Sequence, residues 1–116
     1  MKEYIIEGGL PLDGQVDVCA AKNSVLPLMA ASILTDEIIV LHDCPDISDV
    51  DNMIKILEGL GSKIIKNGRD IVIDNSGVNN AQIPVSLAKE LRSSIFLLAS
   101  LLSRLKQAKV AYPGGC

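Results

Sequence analysis

The spacing of apolar residues changes several times along the chain, and each change marks an element. Tyr4-Ile5-Ile6 reads as a short strand that Gly8 and Gly9 break. Gln15-Val16-Asp17-Val18 alternates polar and apolar, as a half-buried strand does, after a turn at Asp13-Gly14. A long apolar run from Val25 to Leu34 comes after Lys22-Asn23-Ser24. Asn23 or Ser24 is expected to cap this helix through a short polar side chain. Pro27 should then fall in its first turn, where a missing N–H has no partner to lose. The run is apolar nearly all round and predicts a buried helix. Ile38-Ile39-Val40-Leu41 is a β-branched strand ended by Pro45.

Helical spacing then dominates. Val50, Met53, Ile54, Leu57 and Leu60 lie on one face, Ser48 and Asp51 resemble a capping box, and Gly59 and Gly61 end the helix. Lys63–Lys66 and Asp70–Ile73 flank Asn67-Gly68, a hairpin signal that favours a type I′ turn. Residues 74–82 are polar and read as loop. Pro84 suits the start of a long, buried helix with Ala88, Leu91, Ile95, Leu98, Leu102 and Leu105 on one face, which Phe96, Leu97 and Leu101 widen. Lys109–Tyr112 forms a last strand before Pro113-Gly114-Gly115-Cys116. The order ββαβαββαβ implies an α+β fold with helices packed on a mixed sheet.

Composition narrows the functional classes. The chain has 116 residues, enough for one domain, and 48% are hydrophobic. Aromatics make up only 3%, so the core is aliphatic. A net charge of −3 argues against nucleic acid as a main partner, because phosphate backbones are met by clustered Lys and Arg. It leaves room for a small anion held by a few well-placed cations. No basic segment leads into a long apolar stretch, and no run approaches the ~20 apolar residues of a membrane span, so a cytoplasmic protein with no membrane contact is expected. Cys19, Cys44 and Cys116 form no CxxC pair and His42 is the lone histidine, which leaves no zinc spacing and disfavours a thiol-redox protein.

Three places could carry chemistry. Lys22-Asn23 sits at a helix start, where unpaired amides and a full positive charge suit phosphate; a capping Asn beside a solvated Lys is the plainer alternative. Arg92 interrupts an apolar helix beside Ser93 and Ser94, so it requires an anionic ligand, a carboxylate such as Glu90, or a solvated face. Cys116 comes after two glycines, which permit close backbone approach and loop movement; its reactivity depends on nearby cations, and an ordinary exposed thiol is the alternative. Asp49 and Asp51 read as carboxylates that complement a helix dipole, and Cys19 and Cys44 as small core or loop residues.

Taken together, these motifs resemble one family. Ala21-Lys22-Asn23-Ser24-Val25-Leu26-Pro27, Pro45 with Asp49-Val50-Asp51, Leu57-Glu58-Gly59-Leu60-Gly61, Leu91-Arg92-Ser93-Ser94-Ile95 and Pro113-Gly114-Gly115-Cys116 occur in the order and at the intervals of the UDP-N-acetylglucosamine enolpyruvyl transferases. The sister enzyme acting on shikimate phosphate shares the fold but lacks the Pro-Gly-Gly-Cys signature. The resemblance implies part of an α/β prism. Residues 1–21 would be strands that pack with a distal domain, and residues 22–116 a partial first domain ending at the catalytic loop. It implies transfer of the enolpyruvyl group of phosphoenolpyruvate to the 3′-hydroxyl of UDP-N-acetylglucosamine with release of phosphate, the reaction that opens peptidoglycan synthesis. Lys22 and Asn23 would contact phosphoenolpyruvate, Arg92 would bind the nucleotide sugar, and Cys116 would donate the proton and be open to alkylation by fosfomycin. No metal or organic cofactor is implied. Family members are several times longer, so the resemblance implies an N-terminal fragment. Such a fragment alone is expected not to turn over, and the competing expectation is residual ligand binding or self-association.

Overall fold

The computed structural model describes residues 2–18, 20–90 and 92–110; of residues 89, 90, 92 and 93 it describes the backbone alone. The elements are α1 (Lys22–Ala31), β1 (Ile39–Leu41), α2 (Ser48–Leu60), β2 (Lys63–Asn67), β3 (Asp70–Asp74), α3 (Val85–Glu90) and α4 (Leu97–Leu105), with 3₁₀ turns at Ser32–Leu34 and Arg92–Phe96. The fold class is α+β.

β3 is the central strand of a three-stranded antiparallel sheet, between β1 and β2. Val40 faces Val72, which faces Ile65, so these three share the outer side. Ile71 and Ile73 point inward and are fully buried. The expected mixed sheet is therefore antiparallel, and the parallel pairing in the described residues is a single bridge between Gln82 and Lys109. That bridge is what the expected last strand contributes here; residues 111 and 112 lie outside the described ones.

The core is aliphatic as expected. Leu26, Met29 and Ile33 from the first helical segment meet Met53, Ile56, Leu57 and Leu60 of α2, the inner sheet face, and Leu97 and Leu101 of α4. Burying each such side chain contributes roughly 1.5–3 kcal/mol. Ile56 joins this core in addition to the anticipated face of α2, while Ile54 packs at its margin.

α2 ends as the sequence implies. Gly61 adopts φ 116, its N–H donates to Glu58 O at 3.1 Å, and the Ser62 N–H donates to Leu57 O at 3.0 Å. This pair of bonds is a Schellman motif, which satisfies carbonyls that the helix leaves open.

Several expectations need correction. Residues 2–18 form no strand: Ile5, Leu12 and Val18 are 83%, 101% and 95% exposed. Alternation can specify a face, but a strand also needs a neighbour for its backbone groups, and none of the described residues provides one. Neither Asn23 nor Ser24 caps α1; its N-cap is Ala21, without a side-chain bond, and Pro27 lies inside the helix. The Pro27 ring removes the donor that would have met the Asn23 carbonyl. Ser48 is likewise the first residue of α2, after an N-cap at Ile47, and makes no cap bond. The hairpin turn is displaced by one residue. Asn67 pairs with Asp70 in the ladder, Gly68 and Arg69 make the turn, and Gly68 at φ 60 takes the positive angle that a type II′ turn needs first.

α1 is buried on one side only, since Leu28 remains 51% exposed. The long helix after Pro84 is broken by the 3₁₀ turn at Arg92–Phe96. Three residues per turn in place of 3.6 changes the phase of α4 relative to α3. Ser94, Leu97 and Leu101 are consequently buried, whereas Ile95, Leu98 and Leu102 face outward.

Candidate functional site

The start of α1 is chemically open. The Ser24 and Val25 amides turn back to Ala21 O at 3.2 Å each, and no side chain caps the helix. The Lys22 and Asn23 amides precede the first helical bonds, so they stand with the positive end of the helix dipole. The Lys22 ammonium joins them, half exposed, with its Nζ 3.0 Å from Asp49 Oδ2. Asp49 belongs to the first turn of α2. The ion pair thus couples the starts of α1 and α2, and Lys22 is neither a freely solvated lysine nor the neighbour of a capping Asn23.

A cleft of about 220 Å³ borders this end of α1, lined by Ala21, Ser24, Val40, His42, Cys44 and Pro45 among others. Its wall is fixed by the β1–α2 connection. Asp43 sits at φ 54, its amide donates to Asp70 Oδ1 at 3.3 Å, and the Cys44 amide donates to Arg69 O at 2.7 Å. Cys44 is buried, and its Sγ contacts Leu41 O at 3.5 Å. Burial pushes this thiol up, and the Asp70 and Asp43 carboxylates push it further. The reading of Cys44 as a small core residue holds. His42 is exposed beside Asp70, with Nδ1 3.3 Å from Oδ1.

A second ionic cluster stands at the start of α2. Lys66 of β2 reaches Asp46 at 2.9 Å and Asp51 at 3.1 Å. The hydrogen bond from Lys66 holds Asp46 below the usual carboxylate range, and the same contact with Asp46, then that with Asp51, holds Lys66 above its ordinary value. Asp49 and Asp51, two residues apart, therefore serve different cations on different elements.

Of the sequence-predicted site residues, Lys22 and Asn23 share the start of α1. Arg92 opens the 3₁₀ turn that packs against α1. Its side chain and Cys116 lie outside the described residues. A half-buried arginine that the pattern did not single out is Arg104 of α4. Its Nη1 donates to Ile33 O at 2.9 Å, its Nη2 donates to Asn75 O at 2.9 Å, and it pairs with Asp36. Asn75 is itself fully buried; its Nδ2 donates to Ser32 Oγ at 3.0 Å and its Oδ1 accepts from Ser62. These groups tie the segments that follow α1, α2 and β3 to α4. A lone arginine at the end of an apolar helix gives no sequence signal for that role. Among the described residues no helix is long and apolar enough to cross a membrane.

Comparison with known proteins gives one consistent result. The family described as EPSP synthase (3-phosphoshikimate 1-carboxyvinyltransferase) matches residues 6–116. The chain is 48% identical over all its 116 residues to UDP-N-acetylglucosamine 1-carboxyvinyltransferase 2 of Caldanaerobacter subterraneus subsp. tengcongensis. It is 44% identical over the same length to UDP-N-acetylglucosamine 1-carboxyvinyltransferase 1 of Streptococcus agalactiae serotype Ia. It spans 28% of the length of each of these two relatives. Its fold is similar to that of the enolpyruvyl transferase NikO from Streptomyces tendae, with a TM-score of 0.74 and 27% identity over 84% of this chain and 23% of that one. A match through nearly every residue, a shared fold, and a cation at an open helix start lead to one family: the chain belongs to the EPSP synthase family of enolpyruvyl transferases.

Proposed function

We propose that the protein carrying this chain transfers the enolpyruvyl group of phosphoenolpyruvate to the 3′-hydroxyl of UDP-N-acetylglucosamine, releasing phosphate. The observation that carries this reading is the 48% identity, over the whole chain, to a UDP-N-acetylglucosamine 1-carboxyvinyltransferase. The Pro113-Gly114-Gly115-Cys116 segment favours the nucleotide sugar over shikimate phosphate as acceptor. In this reading residues 1–21 pair as strands with a second domain, residues 22–116 form part of a first domain within a prism fold, and the protein works in the cytoplasm on the path to peptidoglycan.

The chemistry divides among four residues. Lys22 and the amides at the start of α1 hold the phosphate of phosphoenolpyruvate, where a fixed ammonium and helix dipole counter its charge. Asn23 supports the cationic centre that arises when the enol carbon is protonated. Cys116 delivers that proton from a glycine-bearing loop, and a thiol beside cations can exchange protons near neutral pH. Arg92 binds the nucleotide sugar through its planar fork of donors.

The test is phosphate release from the two substrates by the protein expressed from its own gene. Lys22→Ala and Cys116→Ser are each expected to lower kcat/KM by about 100-fold or more, as the loss of a positioned general acid or charge does. Cys116→Ser should keep its affinity for UDP-N-acetylglucosamine, and fosfomycin should inactivate the wild type while sparing this variant. Absence of phosphate release from the wild type, or loss of nucleotide-sugar binding in Cys116→Ser, would count against the assignment.

A further inference from the structure

We infer that Asp49 is a positioning residue for phosphoenolpyruvate: it holds the Lys22 ammonium at the mouth of α1 so that the remaining donors face the incoming anion. The inference rests on the reading of Lys22 as the phosphoenolpyruvate contact.

The geometry has three parts. Lys22 Nζ lies 3.0 Å from Asp49 Oδ2, and the two side chains are 50% and 30% exposed. An ammonium has three donors and no acceptor, so one ion pair leaves two directions open. The first amides of α1 stand at the same end, without a side-chain cap. At this exposure the ion pair adds little to folding. Its main consequence is where it places a charge that otherwise sweeps freely at the end of four methylenes. Asp49 is suited to this because α2 fixes it: Val50 beside it is fully buried, and the Val50 amide donates to Ile47 O at 3.1 Å.

Simple electrostatics makes the opposite forecast. Removing a carboxylate beside an anion site makes the site more positive and should tighten binding. Positioning forecasts weaker binding, because the ammonium loses its anchor and must be ordered by the ligand. The sign of the effect therefore separates the two. A purely structural role is separated by Asp51, which occupies the same first turn of α2 but pairs with Lys66.

The experiment measures phosphoenolpyruvate affinity by calorimetry, with kcat and KM alongside, on the protein expressed from its own gene. Asp49→Asn is expected to weaken phosphoenolpyruvate binding about 10-fold, with a smaller change in kcat and none in affinity for UDP-N-acetylglucosamine. Asp49→Glu, which can still reach the ammonium, should recover most of that loss. Asp51→Asn should bind phosphoenolpyruvate like the wild type. In a Lys22→Ala background, Asp49→Asn should have no further effect, because the two act as a unit. Binding by Asp49→Asn as tight as or tighter than wild type overturns the inference, as does an equal loss in Asp51→Asn or a full additional loss in the Lys22→Ala background. A wild type that binds phosphoenolpyruvate yet releases no phosphate with both substrates sinks the proposed reaction and leaves these comparisons decisive. A wild type that binds no phosphoenolpyruvate overturns the inference together with the role of Lys22.

Discussion

Single side chains decide whether neighbouring segments hold their places, and Arg104 is the clearest case. Its side chain is only 16% exposed, and it donates to two backbone carbonyls, Ile33 O and Asn75 O, that end different elements. Arg104→Ala leaves these carbonyls and Asp36 without their donor. Hydrogen bonds to charged groups contribute about 1.5–3 kcal/mol each, and unmet buried acceptors cost a similar amount. The expected loss is about 3 kcal/mol, read as a lower urea midpoint at unchanged slope. Arg104→Lys should recover only part of it, since an ammonium cannot span carbonyls arranged for a fork. Full recovery by Lys would show that charge alone matters. None of this was legible in the sequence. Arg104 and Asn75 are 29 residues apart and meet only because β3 and α4 pack on the same helices. Lys22, by contrast, was legible as a candidate because its setting is local: a helix start carries its own amides. Its partner Asp49 was read only as a dipole-complementing carboxylate, because the contact joins two separate helix starts.

Elements whose limits are set by neighbouring residues were readable, and those set by distant ones were not. The glycine stop of α2 and the hairpin, to within one residue of its turn, belong to the first kind. Both glycines that stop or turn the chain there have positive φ, but only one is crowded. A Cβ on Gly61 would strike the Gly77 carbonyl oxygen and lie 3.0 Å from Val78 Cα, whereas a Cβ on Gly68 meets nothing within 4 Å. Gly68→Ala should therefore cost only the positive-φ backbone penalty, about 1–3 kcal/mol. Gly61→Ala adds a backbone clash that must push the Asn75–Asn80 loop away, and should cost at least about 2 kcal/mol more. The shift would also loosen the bonds from the Asn79 and Asn80 amides to Leu60 O, at 3.1 and 3.3 Å. Thermal melts of the two variants check the difference, and equal melting temperatures would contradict it. The third helical segment shows the opposite limit. It is apolar nearly all round, so its sequence carries little information on phase. The 3₁₀ turn that resets the buried face at Ser94, Leu97 and Leu101 is selected by packing against α1 and the end of α3.

The whole molecule exposes many large apolar side chains. Tyr4, Ile5, Ile6, Leu10, Leu12, Val16 and Val18 extend along residues 2–18 at exposures of 83–101%. A second patch lies between α1 and α4, where Pro27, Leu34 and Phe96 line an apolar groove with Ala99. Leu34 and Phe96 are 58% and 47% exposed there. Contiguous apolar patches beyond a few hundred Å² mark surfaces that bind something. The alternating stretch at residues 15–18 retains the pattern of a strand and offers unpaired backbone groups as well. The 116-residue polypeptide, prepared by itself, is therefore expected to self-associate. Light scattering should give a mass above 12.4 kDa that rises with concentration. The two surfaces can be separated. A polypeptide of residues 19–116 removes the first, and Leu34→Ser with Phe96→Ser blunts the second while sparing the fully buried Leu26 and Leu97. If the first segment dominates, its removal alone restores a monomer, which fits strands that seek a pairing edge. If the groove dominates, only the double substitution does so, which fits a helical layer that seeks another helix. A wild-type polypeptide that stays monomeric at every concentration would mean that these residues are tolerated in water, and would remove the physical reason for assigning them a covering partner.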